Sequence, residues 1–241
     1  MPEGTGAPPP EGSAEAALGP REAALLHAWL SPGYPTGAFA YSHGLEQAIA
    51  AGEIADTASL ESWLTALLAH GGGRSEALLV AEAWMAPEDD RPAERARALA
   101  ASAERLRETE AQGRAFAAVT AAAYTGSLGD DRALPYPVAL GRAARAEGIP
   151  LAALLPLALQ SFATNLVSAA VRLVPLGQTE AQRVVHALLP VIARVAAEAH
   201  MAAKGMVRAG MDPLDAHGSA CFRSDIAAMQ HETLETRLFR T

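Results

Sequence analysis

The sequence predicts an all-α protein: a single helical-bundle-like domain of roughly seven to ten helices with no sheet. Alanine, the best helix former, fills 57 of the 241 positions. Aromatic residues, which together with β-branched ones favour strands, make up only 5% of the chain. No run of alternating apolar and polar residues indicates a strand. Because half of the residues are hydrophobic, the chain can bury a substantial core.

Three parts of the chain differ in composition. Residues 1–20 are rich in Pro, Gly, Ala and Glu and carry no basic residue. This is typical of neither a signal peptide nor a transit peptide, and it predicts a disordered tail. Residues 21–224 form the predicted helical domain. Residues 225–241 interleave apolar and charged side chains, which predicts a C-terminal docking segment that orders on binding.

Prolines, glycines and capping residues divide the domain into helices. In the first half of the domain the predicted helices are Glu22–Leu30, a short one carrying Leu45 and Ile49, one capped by Asp56 or Thr57 and ended by Gly71, Ser75–Met85, and a long charged helix from Pro92 to about Tyr124. In the second half they are a short helix ending at Gly148, one that covers at least Leu157–Leu173 and is started or kinked by Pro156, one from Thr179 toward Met201, and a short one at about Asp225–Met229. Thr179 is expected to cap its helix through a capping box with Gln182, and Pro190 is expected to kink that helix.

One stretch could be mistaken for a membrane span. The 24 residues from Gly148 to Val171 carry no charge, and this length is sufficient to cross a bilayer. Two prolines and polar side chains, including Gln160 and Asn165, favour a buried core helix instead. We therefore expect a soluble, cytoplasmic protein without a membrane partner.

Charge and a single lysine exclude two function classes. The formal net charge is −8, and no basic stripe is present to neutralise phosphates, so a nucleic-acid partner is not expected. A P-loop needs a lysine that reaches the terminal phosphates. The only lysine, Lys204, lies outside any such motif, so the chain is not expected to be a P-loop nucleotidase.

Two candidate chemistries stay open on the residues alone. Ser42 and His43 lie in a segment that imitates the nucleophile elbow of hydrolases, but that elbow follows a strand, and a helix-entry or packing role is the alternative. His217 and Cys221 are four residues apart with His231 further on. Imidazole and thiolate suit nickel, zinc or copper. Histidines that are exposed or hydrogen-bonded are the alternative, since two ligands do not complete a site.

Two charged residues interrupt apolar sequence. Glu46 follows Gly44 and Leu45, and Arg172 lies within the run from Ser168 to Pro175. Each could form an ion pair at a helix end, or the arginine could extend its charge to water. Alternatively they form a polar contact for another protein, because arginine is enriched at interface hot spots.

Three ordered blocks of sequence resemble the family of the urease accessory protein UreF. The first block is residues 31–46 (SPGYPTGAFAYSHGLE) and the second is residues 165–179 (NLVSAAVRLVPLGQT). The third block is residues 225–233 (DIAAMQHET), followed by RLFR at residues 237–240. The blocks extend the resemblance from about residue 22 to residue 241.

The resemblance implies a helical, non-enzymatic chaperone without a cofactor. It implies that the chain joins UreD (also called UreH) and the GTPase UreG in a complex that loads nickel into apo-urease, and that it forms a homodimer. Glu46 and Arg172 match positions that the family uses toward the GTPase. The positions implied for the UreD side and the C-terminal segment are Tyr41, Asp225, His231, Glu232, Arg237 and Phe239. The structural positions of the motifs are Ser31, Pro35, Gly37, Gly44, Pro175, Gly177 and Gln178.

Overall fold

A computed structural model describes residues 17–124, 133–209, 217–218 and 220–241. Most of the predicted tail, residues 1–16, lies outside this part of the chain. The helices are α1 (Pro20–Trp29), α2 (Leu45–Ala50), α3 (Thr57–His70), α4 (Gly72–Met85), α5 (Arg91–Ala98), α6 (Ala103–Ala123), α7 (Tyr136–Ala146), α8 (Leu151–Leu173), α9 (Gln178–Ala187), α10 (Leu189–Ala209) and α11 (Phe222–His231), with a 3-10 turn at Ala38–Ala40. Since the described residues contain no strand, the predicted all-α class is confirmed.

Helices α9 and α10 follow each other almost without interruption. Leu188 is the only residue between the two helices, and its backbone angles are helical. The predicted capping box with Thr179 as the N-cap is wrong. The N-cap is Gly177, whose backbone N–H donates to Oε2 of Glu180 at 2.8 Å. Glu180 can accept this bond because it occupies the third position of the helix.

The long charged helix predicted from Pro92 to about Tyr124 is also wrong. The chain breaks between α5 and α6, where the Ser102 side chain accepts the backbone N–H of Arg105 at 3.1 Å. The carboxylate of Glu232 accepts the backbone N–H of Ala103 at 2.8 Å. These bonds satisfy donors that a helix start leaves free. The break thus depends partly on a residue 129 positions away.

The core is built around α4 and α8. Helix α4 packs against α3, α5, α7, α8 and α10, and α8 also packs against α2, α9 and α10. By length and composition alone, α8 and the segment Gln178–Gly205 could each cross a membrane. In this fold both segments pack against other helices of the bundle.

The closest approach of α4 and α7 requires a glycine. A Cβ added at Gly141 would lie 2.5 Å from the carbonyl oxygen of Val80, and the α4 backbone cannot yield without losing packing. We expect Gly141→Ala to lower the free energy of unfolding by about 1–3 kcal/mol, measured by urea denaturation. The control is Gly205→Ala, where nothing lies within 4 Å and the better helix propensity should raise stability by up to about 1 kcal/mol. Equal changes in the free energy of unfolding for Gly141→Ala and Gly205→Ala would contradict the close packing of α7 on α4.

Candidate partner-docking site

Residues 222–241, called the C-terminal segment below, fold back onto α2 and α6. The predicted docking segment, residues 225–241, begins inside α11. At Gly44, an added Cβ would lie 2.6 Å from the backbone nitrogen of Ala228. Gly44 also has φ of +76°, in the left-handed region that favours glycine. Glycine is thus required here both by backbone conformation and by the approach of α11.

The carboxylate of Glu46 binds the C-terminal segment. It accepts the backbone N–H of Leu238 at 2.7 Å and that of Phe239 at 2.9 Å. Nε2 of His231 lies 3.1 Å from Oε2 of the same carboxylate. Glu46 is buried, and a buried carboxylate needs such partners to offset lost hydration. The structure therefore gives Glu46 a role in seating the segment, and its contact with the GTPase stays a prediction.

A second carboxylate, Glu104 in the first turn of α6, binds the same segment. His231 is fully buried, and its Nδ1 lies 2.7 Å from Oε2 of Glu104. Nη1 of Arg237 donates to Oε1 of Glu104 at 2.6 Å. Glu232 also caps α6. These contacts attach the chain that follows α11 to the first turn of α6 through His231, Glu232 and Arg237. His231, Glu232 and Arg237, which were predicted for the UreD side, therefore contact α6 of their own chain.

Thr241 joins a third polar cluster, formed with Ser42, His43 and Glu108. The backbone N–H of Ser42 donates to the carbonyl oxygen of Thr241 at 3.0 Å, and the Ser42 hydroxyl donates to the same oxygen. The Thr241 hydroxyl donates to Glu108 at 3.0 Å, and Nε2 of His43 lies 2.8 Å from the same carboxylate. Among the described residues, His43 is the only non-glycine with positive φ, +55°. Such strain persists where surrounding contacts hold it.

Glu108 is ionised in this cluster. Burial by itself would raise the pKa of its carboxyl, but the Arg105 guanidinium and His43 hold that pKa down at about 2. Arg105 binds Glu108 directly and also donates to Glu76 at 3.0 Å. The cluster is therefore a charged network inside the protein, at the point where the C-terminal segment meets α6.

We expect this network to make stability depend on pH in acid. The pKa of Glu108 falls from an ordinary 4.5 to about 2 on folding, so its ionised form stabilises the fold above pH 4.5 and this stabilisation is lost as pH falls toward 2. Glu108→Gln should lower the free energy of unfolding by about 3–5 kcal/mol at pH 7. In urea titrations the difference from wild type should shrink between pH 4.5 and 2.

The control for this titration is Glu198→Gln. Glu198 forms an exposed ion pair with Arg194 at 3.1 Å, and removing it should change stability by less than about 1 kcal/mol. A difference between Glu108→Gln and wild type that stays constant from pH 7 to pH 2 would contradict the assignment of the ionised carboxylate.

The second sequence block meets the other two at Phe239. The Phe239 ring is buried, and Cζ of Arg172 lies 5.8 Å from its centroid. Nη1 of Arg172 donates to the carbonyl oxygen of Phe39 at 3.3 Å. The backbone N–H of Arg240 donates to the carbonyl oxygen of Ala40 at 2.8 Å. Phe239 therefore contacts both residues that the resemblance relates to the GTPase, Glu46 through its backbone and Arg172 through its ring.

The remaining predicted residues lie around this convergence or in turns. Tyr41 is buried, and Asp225 is half-buried on α11. The motif residues lie where the chain turns: Ser31, Pro35 and Gly37 between α1 and the 3-10 turn, Gly44 before α2, and Pro175, Gly177 and Gln178 at the junction of α8 and α9.

Sequence reasoning missed three buried polar residues on α6. Glu104, Glu108 and Gln112 are spaced by four residues, which places them on one face of a helix, and all three are buried. That spacing is the signal that could have found them. No signal could have found Thr241, because its partner Ser42 is 199 residues away.

The structure does not form a hydrolase site at Ser42 and His43 or a metal site from His217, Cys221 and His231 among the residues that it describes. The Ser42 hydroxyl is fully buried and bonded to the Thr241 backbone, and the His43 ring binds Glu108. His217 pairs with Glu82, whereas His231 lies between the two carboxylates described above. Within residues 17–124, 133–209, 217–218 and 220–241, no group of three or more His, Cys, Asp or Glu side chains is arranged to hold a metal ion.

Comparison with known proteins gives the family. The UreF family model matches residues 54–189. The chain belongs to the UreF family. A urease accessory protein UreF from Cereibacter sphaeroides is 56% identical over 213 residues, covering 88% of this chain and 95% of that protein. The UreF proteins of Roseobacter denitrificans and Rhodopseudomonas palustris (strain BisB18) are 50% and 43% identical, covering 90% and 94% of this chain and 92% and 96% of the relatives.

Proposed function

We propose that the chain is a non-catalytic adaptor of urease maturation in the cytoplasm. With UreD (UreH) and the GTPase UreG it assembles on apo-urease and supports insertion of nickel into the urease active site, acting as a homodimer. The observation that carries this proposal is the convergence of the three UreF blocks at Phe239, between Glu46 and Arg172. Arg172 contacts the GTPase, and Glu46 serves that side by seating the C-terminal segment beside it.

The outward face of α11 supports the UreD side of the proposal. Phe222, Ile226 and Met229 are each more than half exposed, as is Leu238 after the helix. Their spacing of four and three residues places the first three on one helical face. An exposed apolar face of this kind marks a protein contact. In this proposal His231, Glu232, Arg237 and Phe239 hold that face in place, and the outward residues contact UreD.

Urease activation in cells that lack this chain tests the proposal. Supplying the chain is expected to restore both urease activity and the nickel content of purified urease. Full activity without the chain would contradict it. Sedimentation of the purified protein at twice the 25.0 kDa of one chain tests the homodimer.

The two alternative functions differ in measurable ways. A hydrolase would lose its function on Ser42→Ala, whereas an adaptor loses only the hydrogen bonds of one hydroxyl and should still activate urease. A metal carrier would lose nickel in equilibrium dialysis when His217→Ala and Cys221→Ala are combined. For an adaptor we expect the double variant and wild type to bind nickel equally.

A further inference from the structure

The residues just before α11 form a second set of contacts with the helical domain. Those that the structure describes are His217, Gly218, Ala220 and Cys221, called the α4 strap below. The C-terminal segment is seated on α2 and α6, whereas the α4 strap contacts the α3–α4 junction and the last turn of α4. Helix α11 is therefore attached to the domain at both of its ends.

The first contact of the α4 strap is a buried cluster of charged side chains. Nε2 of His217 lies 2.5 Å from Oε1 of Glu82, and Nη2 of Arg95 on α5 lies 3.0 Å from Oε2 of the same carboxylate. The side chains of His217, Glu82 and Arg95 are 1%, 6% and 8% exposed. Because Arg95 pairs with one carboxylate oxygen, the other oxygen accepts and the imidazole N–H donates. Buried hydrogen bonds to charged groups are among the stronger polar contacts, so this bond ties the strap to α4.

The second contact of the α4 strap lies at the junction of α3 and α4. The backbone N–H of Ala220 donates to the carbonyl oxygen of His70, the last residue of α3, at 2.9 Å. This carbonyl is one of those that a helix end leaves without an intrahelical partner. A Cβ added at Gly71 would lie 2.8 Å from Cβ of Cys221. Glycine at this position therefore allows the strap to approach the junction closely.

The α4 strap determines where the outward face of α11 begins. Phe222, which is 69% exposed, directly follows Cys221, and Ile226 lies one turn further along the same face. The ion pair of Arg223 with Glu53 is also at the start of α11, but the arginine side chain is 75% exposed, and exposed pairs contribute little to stability. The position of Phe222 and Ile226 therefore depends mainly on the buried contacts of the strap.

We propose that His217 is a positioning residue for the surface that faces UreD. Through its hydrogen bond to Glu82, the α4 strap holds the start of α11 so that Phe222 and Ile226 contact the partner together with Met229. This inference rests on the proposed function, in which the outward face of α11 contacts UreD. The buried imidazole itself does not touch the partner and acts only through the helix that follows it.

The single cysteine of the chain reports on the strap without any partner. Cys221 is half-buried, and burial raises the pKa of its thiol, so its reaction with DTNB should be slow in wild type. His217→Ala leaves the ion pair between α4 and α5 intact and should react at least tenfold faster. His186→Ala removes an exposed histidine of α9 and should react at the wild-type rate. Equal rates in His217→Ala and wild type would overturn the proposal.

Two amide variants separate the hydrogen bond from the bulk of the ring. In His217→Gln the amide nitrogen is as many bonds from Cβ as Nε2 of the imidazole, so it can still donate to Glu82. In His217→Asn the amide nitrogen is one bond closer to Cβ and falls short. The thiol should therefore react slowly in His217→Gln and as fast in His217→Asn as in His217→Ala. A fast reaction in His217→Gln would overturn the role of the hydrogen bond.

Gly71→Ala tests the strap at its other contact. The added Cβ should displace Cys221 and accelerate the reaction of its thiol at least tenfold. The neighbouring Gly72→Ala is the matched control, because the nearest atom to an added Cβ there is 4.0 Å away, and it should react at the wild-type rate. Equal rates in the two alanine variants would overturn the close approach of the strap.

Co-purification with UreD tests the positioning role. His217→Ala should recover at least tenfold less UreD than wild type, and His217→Gln should recover the wild-type amount, with unchanged far-UV circular dichroism in both. A His217→Ala chain that is only less stable in urea, and that recovers UreD normally, would overturn the proposal. A wild-type chain that recovers no UreD would contradict the proposed function, and the thiol rates would still decide whether the strap holds α11.

Discussion

A chain that ends after Asp225 is expected to lose UreD while its helical domain stays folded. The truncation removes most of the outward face of α11, together with His231, Glu232, Arg237 and Phe239, which attach the C-terminal segment to the rest of the protein. Glu46 and Glu104 then face water, which solvates their carboxylates at little cost. Co-purification from cells that also produce UreD should recover at least a hundredfold less UreD than wild type. The helical signal in far-UV circular dichroism should decrease only by the contribution of α11.

Point substitutions in the full chain separate docking from folding in this experiment. Ile226→Ser combined with Met229→Ser changes exposed side chains only and should also lose UreD. Arg223→Ser is the matched control, because it removes an exposed side chain of the same helix that pairs with Glu53, and it should retain UreD. Retention of UreD by the truncated chain would contradict the docking role of the segment.

Replacing Gly44 with alanine is expected to unseat α11. The left-handed backbone costs alanine about 1–2 kcal/mol, and the contact with the Ala228 backbone adds about 1–3 kcal/mol because neither backbone can move freely. We expect the free energy of unfolding to fall by about 2–5 kcal/mol in urea titrations. The amide protons of Leu238 and Phe239, which bind Glu46, should exchange with solvent faster.

Gly37 provides the control for this substitution. It has the same φ of +76°, and a Cβ added there would meet nothing within 4 Å. Gly37→Ala should therefore cost only the backbone component, about 1–2 kcal/mol, and leave exchange at Phe239 unchanged. Equal costs at Gly37 and Gly44 would mean that the close approach of α2 and α11 does not stabilise the protein.

Local signals in the sequence predicted most helices. Of the two predicted caps of α3, Asp56 is the one observed, since its side chain accepts the backbone N–H of Ser59 at 2.8 Å. The charge-free segment forms α8 inside the bundle, with Pro156 within the helix. Such features depend on residues within one or two helical turns, and for that reason a single sequence contains them.

The polar contacts of the candidate site could not be predicted in the same way. Glu46 and His231 are 185 residues apart, and Glu232 interrupts the α5–α6 region from 129 residues away. The resemblance identified Glu46, Arg172 and Phe239 as contact residues, but the burial of Glu46 and Phe239 follows from tertiary packing. It could not distinguish the residues that hold the C-terminal segment from those on its outward face.

The contacts of Phe239 with Glu46 and Arg172 are expected to allow the chain to bind UreD and UreG together. The most direct test is co-purification of UreD and UreG with a Phe239→Ala chain. From cells that produce the whole urease accessory set, the wild-type chain should recover both UreD and UreG. The Phe239→Ala chain should recover neither, because the ring beside Arg172 and the seat on Glu46 are disturbed together. Recovery of both partners by the variant, or of neither by wild type, would contradict the account.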